Sequence, residues 1–127
     1  MGTNYYVAEN KCECCNRYDE KYHIGKQSYG WAFTFRGYKY DGLVSWQDWK
    51  EFLRDQIIMN EYGDQVPYKD FVEMVETWGS PTYVRENDGV RRQNRTHNDE
   101  GRKSGWFRPE HDWDDQDGYS FGDTYFS

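Results

Sequence analysis

Along residues 30–40, "GWAFTFRGYKY", Trp31, Phe33 and Phe35 alternate with Ala32, Thr34 and Arg36. That is the period of a half-buried strand. "TNYYVAE" (3–9) reads as an earlier strand. The period then changes. In "VSWQDWKEFLRDQ", Ser45 stands as an N-cap with Asp48 three residues on, a variant of the capping box, and Trp46, Trp49, Phe52 and Leu53 fall on one helical face. In "PYKDFVEMVETWG", Pro67 suits a first turn, Phe71, Val72, Val75 and Trp78 form the apolar stripe, and Gly79 ends the helix. Between the two helices, "IIMNEYGDQVP" predicts two short strands around Tyr62, Gly63 and Asp64. From Asn87 to Ser104 the chain turns polar, which predicts a mobile loop or long hairpin, and "YSFGDTYF" can alternate in a final strand. The pattern is that of an α+β fold in one domain, residues 1–127: a small, mostly antiparallel sheet with two amphipathic helices packed on one face.

Composition sets what that core is made of. The chain has 127 residues, of which 20% are aromatic, including twelve Tyr and six Trp, while Leu, Ile and Val are scarce. Mean hydropathy is −1.23. Chain entropy must therefore be offset by a few large rings. There is no apolar run long enough to span a membrane, and "MGTNYYVAENK" has neither the basic start nor the apolar stretch of a signal peptide, so a cytosolic chain is expected, in the host cytoplasm if the source is viral.

Charge is uneven. The net charge of −7 divides into −4 over residues 1–84, +3 over 85–108 and −6 over 109–127. An overall acidic chain works against direct nucleic-acid binding and suits docking on a partner with a basic surface. In the acidic aromatic segment 109–127, Asp112, Asp114, Asp115 and Asp117 surround Trp113, the composition of an aromatic anchor within a charged rim, and these five are the candidate partner-binding residues. A solvated acidic tail is the alternative reading.

The chemistry-bearing motif is "NKCECCNRYDEKYHIGK" (10–26). Cys12 and Cys15 stand as C-x-x-C, a turn spacing that can present two thiolates to zinc, with His23 near enough to be a third ligand and His97 favoured over His111 as the fourth. A structural zinc knuckle near the N-terminus would hold together a domain poor in aliphatics. The alternative is a turn of unligated cysteines. A redox role fits poorly, because the motif leads into a charged loop and not into a helix.

The opening "MGTNYY", the C-x-x-C, "HIGK", "QSYGWAF", the W-x-x-W/K helix and the final "FS" together resemble a family of small bacteriophage proteins, with the likeness running to about Glu76. In that family C-x-x-C-G is followed closely by "LHIGKSS-GW-F", which falls here on Cys12, Cys15, Asn16, His23, Ile24, Gly25, Lys26, Gly30, Trp31 and Phe33. This chain departs from it in Asn16 where Gly is usual, in a more charged segment between Cys15 and His23, and in "TYFS" where relatives carry an acidic residue before "FS". The resemblance implies a phage origin and a shared fold more than a chemistry.

No Walker loop, G-x-S-x-G or Ser/His/Asp pattern is present, so no catalytic residues are assigned. The expected function is that of a small acidic phage protein that binds and inhibits or redirects a host protein, such as a nucleic-acid-handling defence factor of the CRISPR-effector kind. Two alternatives stay open: a zinc-dependent nuclease of the His-Asn-His kind using His97, and a virion or assembly accessory protein.

Overall fold

The computed structural model describes residues 2–9, 12, 14, 15, 17–28, 31–81 and 97–123, with residues 99 and 100 described through their backbone only. Among the described residues, seven strands form one sheet: β1 (Gly2–Glu9), β2 (Asp19–Ser28), β3 (Thr34–Arg36), β4 (Ile57–Asn60), β5 (Gln65–Val66), β6 (Asp112–Asp114) and β7 (Ser120–Gly122). Their order is β5-β4-β1-β2-β3-β7-β6. Neighbours run antiparallel throughout, except that β3 and β7 are parallel. With helices α1 (Trp46–Leu53), α2 (Tyr68–Glu76) and α3 (His97–Ser104), the fold is α+β with a mixed sheet.

Paired residues share a sheet face. Val7 pairs with Ile58, and Phe35 with Phe121, and all four are buried on the face that receives α1 and α2. There the rings interlock: Phe35 stacks on Phe121 at 5.0 Å and meets Trp46 at 5.4 Å, while Phe71 meets Phe33 edge-on at 5.6 Å. Trp49, fully buried, donates its indole N–H to the Arg36 carbonyl at 3.1 Å. The buried set Trp46, Trp49 and Leu53 is the face read from the helical period. Ser45 accepts from the Asp48 N–H at 3.2 Å, and Asp48 accepts in return from the Val44 N–H at 3.2 Å.

Several expectations are corrected. Trp78 is 63% exposed, because α2 ends at Glu76 and the helical period no longer governs the chain beyond it. The strand expected over 30–40 is regular only over Thr34–Arg36; Ala32 is buried along with Phe33, and Trp31 is half-buried. The charged segment after the cysteines is β2, whose first three residues are exposed and so show no alternation. Gly25 sits there because a side chain would collide with the Thr34 carbonyl and the Phe33 ring of the neighbouring segment.

Helices do not all share one face. Of the stretch 87–104, residues 87–96 lie outside the described residues, but His97–Ser104 is a helix and not a loop or hairpin. It lies over β6 and β7 on the face opposite α1 and α2: the Asn98 N–H donates to Ser120 Oγ at 3.2 Å, and Asn98 Nδ2 donates to Asp114 Oδ1 at 2.8 Å. Polar contacts hold this helix, so no apolar stripe announces it. Gly105, at φ +86°, ends it by donating to the Gly101 carbonyl at 2.8 Å.

Candidate functional site

The turn between β1 and β2 keeps Cys12 and Cys15 together. The Cys12 N–H donates to the Arg17 carbonyl at 2.7 Å, and the Cys12 thiol accepts hydrogen bonds from Cys15 and Cys14, led by the Cys15 backbone N–H, which lowers its pKa. All three thiols are exposed. The pair could supply two of the four donors of a zinc site.

His23 and His97 are placed elsewhere. His23 Nε2 lies 2.9 Å from Asn4 Oδ1, and its ring stacks on Tyr6 at 4.9 Å. It sits four residues along β2 from the hairpin mouth, about 13 Å of extended chain. Burial, reinforced by the Arg36 charge, lowers its pKa to about 4. His97 opens α3, over β6 and β7 at the edge of the sheet, its ring 5.6 Å from that of Trp106, and burial lowers its pKa too. The four expected ligands therefore do not converge. Among the described residues, no group of three or more His, Cys, Asp or Glu is placed to hold a metal.

The acidic segment is drawn into the fold. Trp113 is half-buried: it stacks on Phe121 at 5.8 Å, donates its indole N–H to the Val44 carbonyl at 2.9 Å and carries Lys39 Nζ 4.9 Å above its ring. It is a core-edge residue and not a projecting anchor. Asp112 accepts from the Arg108 N–H at 3.0 Å, and Asp114 pairs with Arg102 at 3.1 Å besides holding Asn98. Asp115 accepts from three backbone N–H groups, those of Trp46 (2.8 Å), Tyr119 (2.9 Å) and Asp117 (3.0 Å). Through Trp46 it caps α1 from the far end of the chain. Burial nevertheless outweighs those three donors and raises its pKa. Of the five residues expected to face a partner, Asp117 is the exposed one.

Two concave regions lie along this docked segment. The first is a polar notch of about 280 Å³ lined by Trp46, Gln47, Glu76, Ser80, Asp117 and Tyr119. Glu76 Oε2 there accepts from Trp46 Nε1 at 3.0 Å and from Lys50 Nζ at 2.8 Å. Tyr119 donates its hydroxyl to the Val75 carbonyl at 3.1 Å; burial raises its pKa, and Glu76, Asp115 and Asp117 push it further in the same direction. Glu76 and Asp117 thus line the notch beside Tyr119, with Asp115 close behind, and Lys50 offsets the charge of Glu76.

The second is a cleft of about 640 Å³, lined among others by Arg36, Tyr38, Lys39, Tyr40, His111 and Asp123. His111 Nδ1 lies 2.9 Å from Asp123 Oδ1, and Lys39 Nζ lies 3.4 Å from Asp123 Oδ2 while donating to the Glu110 carbonyl at 2.9 Å. Sequence reading singled out neither region. Each joins residues about 70 positions apart, and no spacing motif spans such a distance.

Comparison of the chain with protein-family models, with curated proteins and with solved structures finds no match in any of the three.

Proposed function

We propose that this is a small binding protein that docks on a host protein with a basic surface and inhibits or redirects it, with the notch between α1, α2 and the β6–β7 turn as the contact. The observation that carries this reading is that Glu76 and Asp117 both line the notch beside Tyr119. A notch of this size accepts a single Lys or Arg side chain, which its exposed carboxylates, Glu76 and Asp117, would meet at the surface. The net charge of −7 would steer a basic partner toward it. The resemblance of the N-terminal half to small phage proteins favours a host target, and a nucleic-acid-handling defence factor would have the required basic groove. Zinc at the cysteine turn belongs to this reading only as a structural aid.

The test uses immobilised chain and bacterial lysate. One basic protein should be retained in near-equal amount and released as salt is raised. The pair Glu76→Gln and Asp117→Asn preserves shape and hydrogen bonding, and should slow association at low salt with little change in dissociation. Retention of no protein, or an unchanged on-rate for the paired variant, would refute the reading.

A further inference from the structure

The cleft at the end of β3 has no part in the reading above, and unlike the notch it is lined by both basic and acidic side chains. Arg36 is half-buried, its Nε is shielded from solvent with no hydrogen-bond partner, and among the described residues no carboxylate pairs with it. Its guanidinium lies 5.5 Å from the Tyr38 ring. Buried donors in folded proteins are nearly always paired, so Arg36, which also lines the cleft, keeps hydrogen-bonding capacity unspent. Asp123 does not take it up, since its two oxygens are turned to His111 and Lys39. Glu110, the remaining acidic residue of the cleft, is exposed at its rim.

At the mouth stands Tyr40, fully exposed. It is held out by a closed turn in which Tyr38 and Leu43 exchange backbone hydrogen bonds of 2.9 and 3.1 Å, with Gly42 at φ +73° making the reversal. A flat ring presented to solvent from an ordered turn offers a stacking face. His111, oriented through Nδ1 by Asp123, presents Nε2 as a further polar group. A volume of about 640 Å³ is in the range that encloses a small organic ligand.

We propose that this cleft binds a small ligand carrying a phosphate on a flat heterocycle, a nucleoside monophosphate being the simplest: the phosphate meets Arg36 and Lys39, the base stacks on Tyr40, and a sugar hydroxyl reaches His111. Arg36 suits the phosphate because its fork of donors matches two oxygens at once.

The test is calorimetric titration of the full chain with adenosine monophosphate, adenosine and inorganic phosphate. Adenosine monophosphate should bind at least tenfold tighter than either fragment. Tyr40→Ala, at a fully exposed position, should leave the melting temperature unchanged and weaken adenosine monophosphate about tenfold while leaving inorganic phosphate as it was. Arg36→Gln should reduce adenosine monophosphate to the level of adenosine; should that variant fail to fold, Lys39→Gln, on the exposed turn, should show a several-fold loss in the same direction. Binding of the nucleotide no tighter than adenosine, or equal binding by parent, Tyr40→Ala and Lys39→Gln, would overturn the proposal. The notch variants Glu76→Gln and Asp117→Asn should not affect this titration, so the two readings fail separately.

Discussion

Replacing Asp115 by Ala would remove the acceptor for three backbone N–H groups at once. The Asp117 N–H is exposed and can turn to water, so its loss costs little. The Trp46 and Tyr119 N–H groups are part-buried, and Trp46 is the first residue of α1, where the helix itself offers no partner. A hydrogen bond to a charged acceptor contributes about 1.5–3 kcal/mol, and a lost helix cap costs about 0.5–2 kcal/mol. Taken with their non-additivity, the two bonds put Asp115→Ala at about 3–4 kcal/mol, a large share of the roughly 5–15 kcal/mol that holds a domain together.

Asp115→Asn separates the contributions. One amide oxygen can still serve Tyr119 and Asp117, which share Oδ1, but the NH2 then faces the Trp46 donor, and a loss of about 1–2 kcal/mol is expected. Asp117→Ala, exposed and two residues away, should fall within about 0.5 kcal/mol of the parent. Urea unfolding followed by tryptophan fluorescence resolves these steps, because the variants should shift the midpoint without altering the slope. If Asp115→Ala lay within about 1 kcal/mol of the parent, the carboxylate would not be bracing the helix, and the acidic segment would regain its claim to be a partner surface.

Trp49→Ala should cost about 3–5 kcal/mol in the same assay, since it empties a fully buried ring site and strips the Arg36 carbonyl of its donor; a smaller loss would mean the α1 face is drawn wrongly. His23, with its pKa lowered to about 4, contributes stability that is present above the unfolded-state value near 6.5 and is lost as pH falls toward 4. Discounted for the exposed part of the ring, the parent should lose about 1 kcal/mol more than His23→Gln between pH 7 and pH 5, and parallel pH profiles would contradict the assignment. Cys12 should be alkylated ahead of Cys14 and Cys15 at neutral pH, as mass spectrometry of limited iodoacetamide treatment would show, and equal rates would tell against the thiol contacts in the turn. If the turn retains zinc, His97→Ala should leave the metal content measured by mass spectrometry unchanged, and loss of zinc would bring α3 back to the site.

What the sequence disclosed follows from where each signal arises. Trp46, Trp49 and Leu53 repeat at helical spacing inside one regular element, so local period and buried face coincide. Trp78 obeys the same spacing but lies past the last helical residue, where spacing carries no geometry. β2 was hidden because its exposed first half belongs to a hairpin projecting beyond the core, and α3 because a backbone-to-serine bond and an asparagine amide hold it in place of an apolar stripe. The zinc set failed to assemble for a related reason: His23 looks near Cys15 in sequence, yet an extended strand carries it away from the turn at about 3.3 Å per residue.

The acidic segment shows the limit most clearly. Its carboxylates and rings were visible as composition, but what they meet is decided by the parallel pairing of β3 with β7, which seats Phe121 against Phe35 and brings residues 111–123 alongside residues 36–46. That seam is bonded at Trp46 to Asp115, at Val44 to Trp113 and at Lys39 to Glu110. Both concave regions lie along it: the notch takes Glu76 from one side and Asp117 from the other, and the cleft takes Arg36 from one side and His111 from the other. Neither site can exist before the last strands dock. Loosening the seam at Asp115 should therefore weaken both the notch and the Arg36 cleft, although the first is lined by Glu76 and Asp117 and the second by charges of both signs.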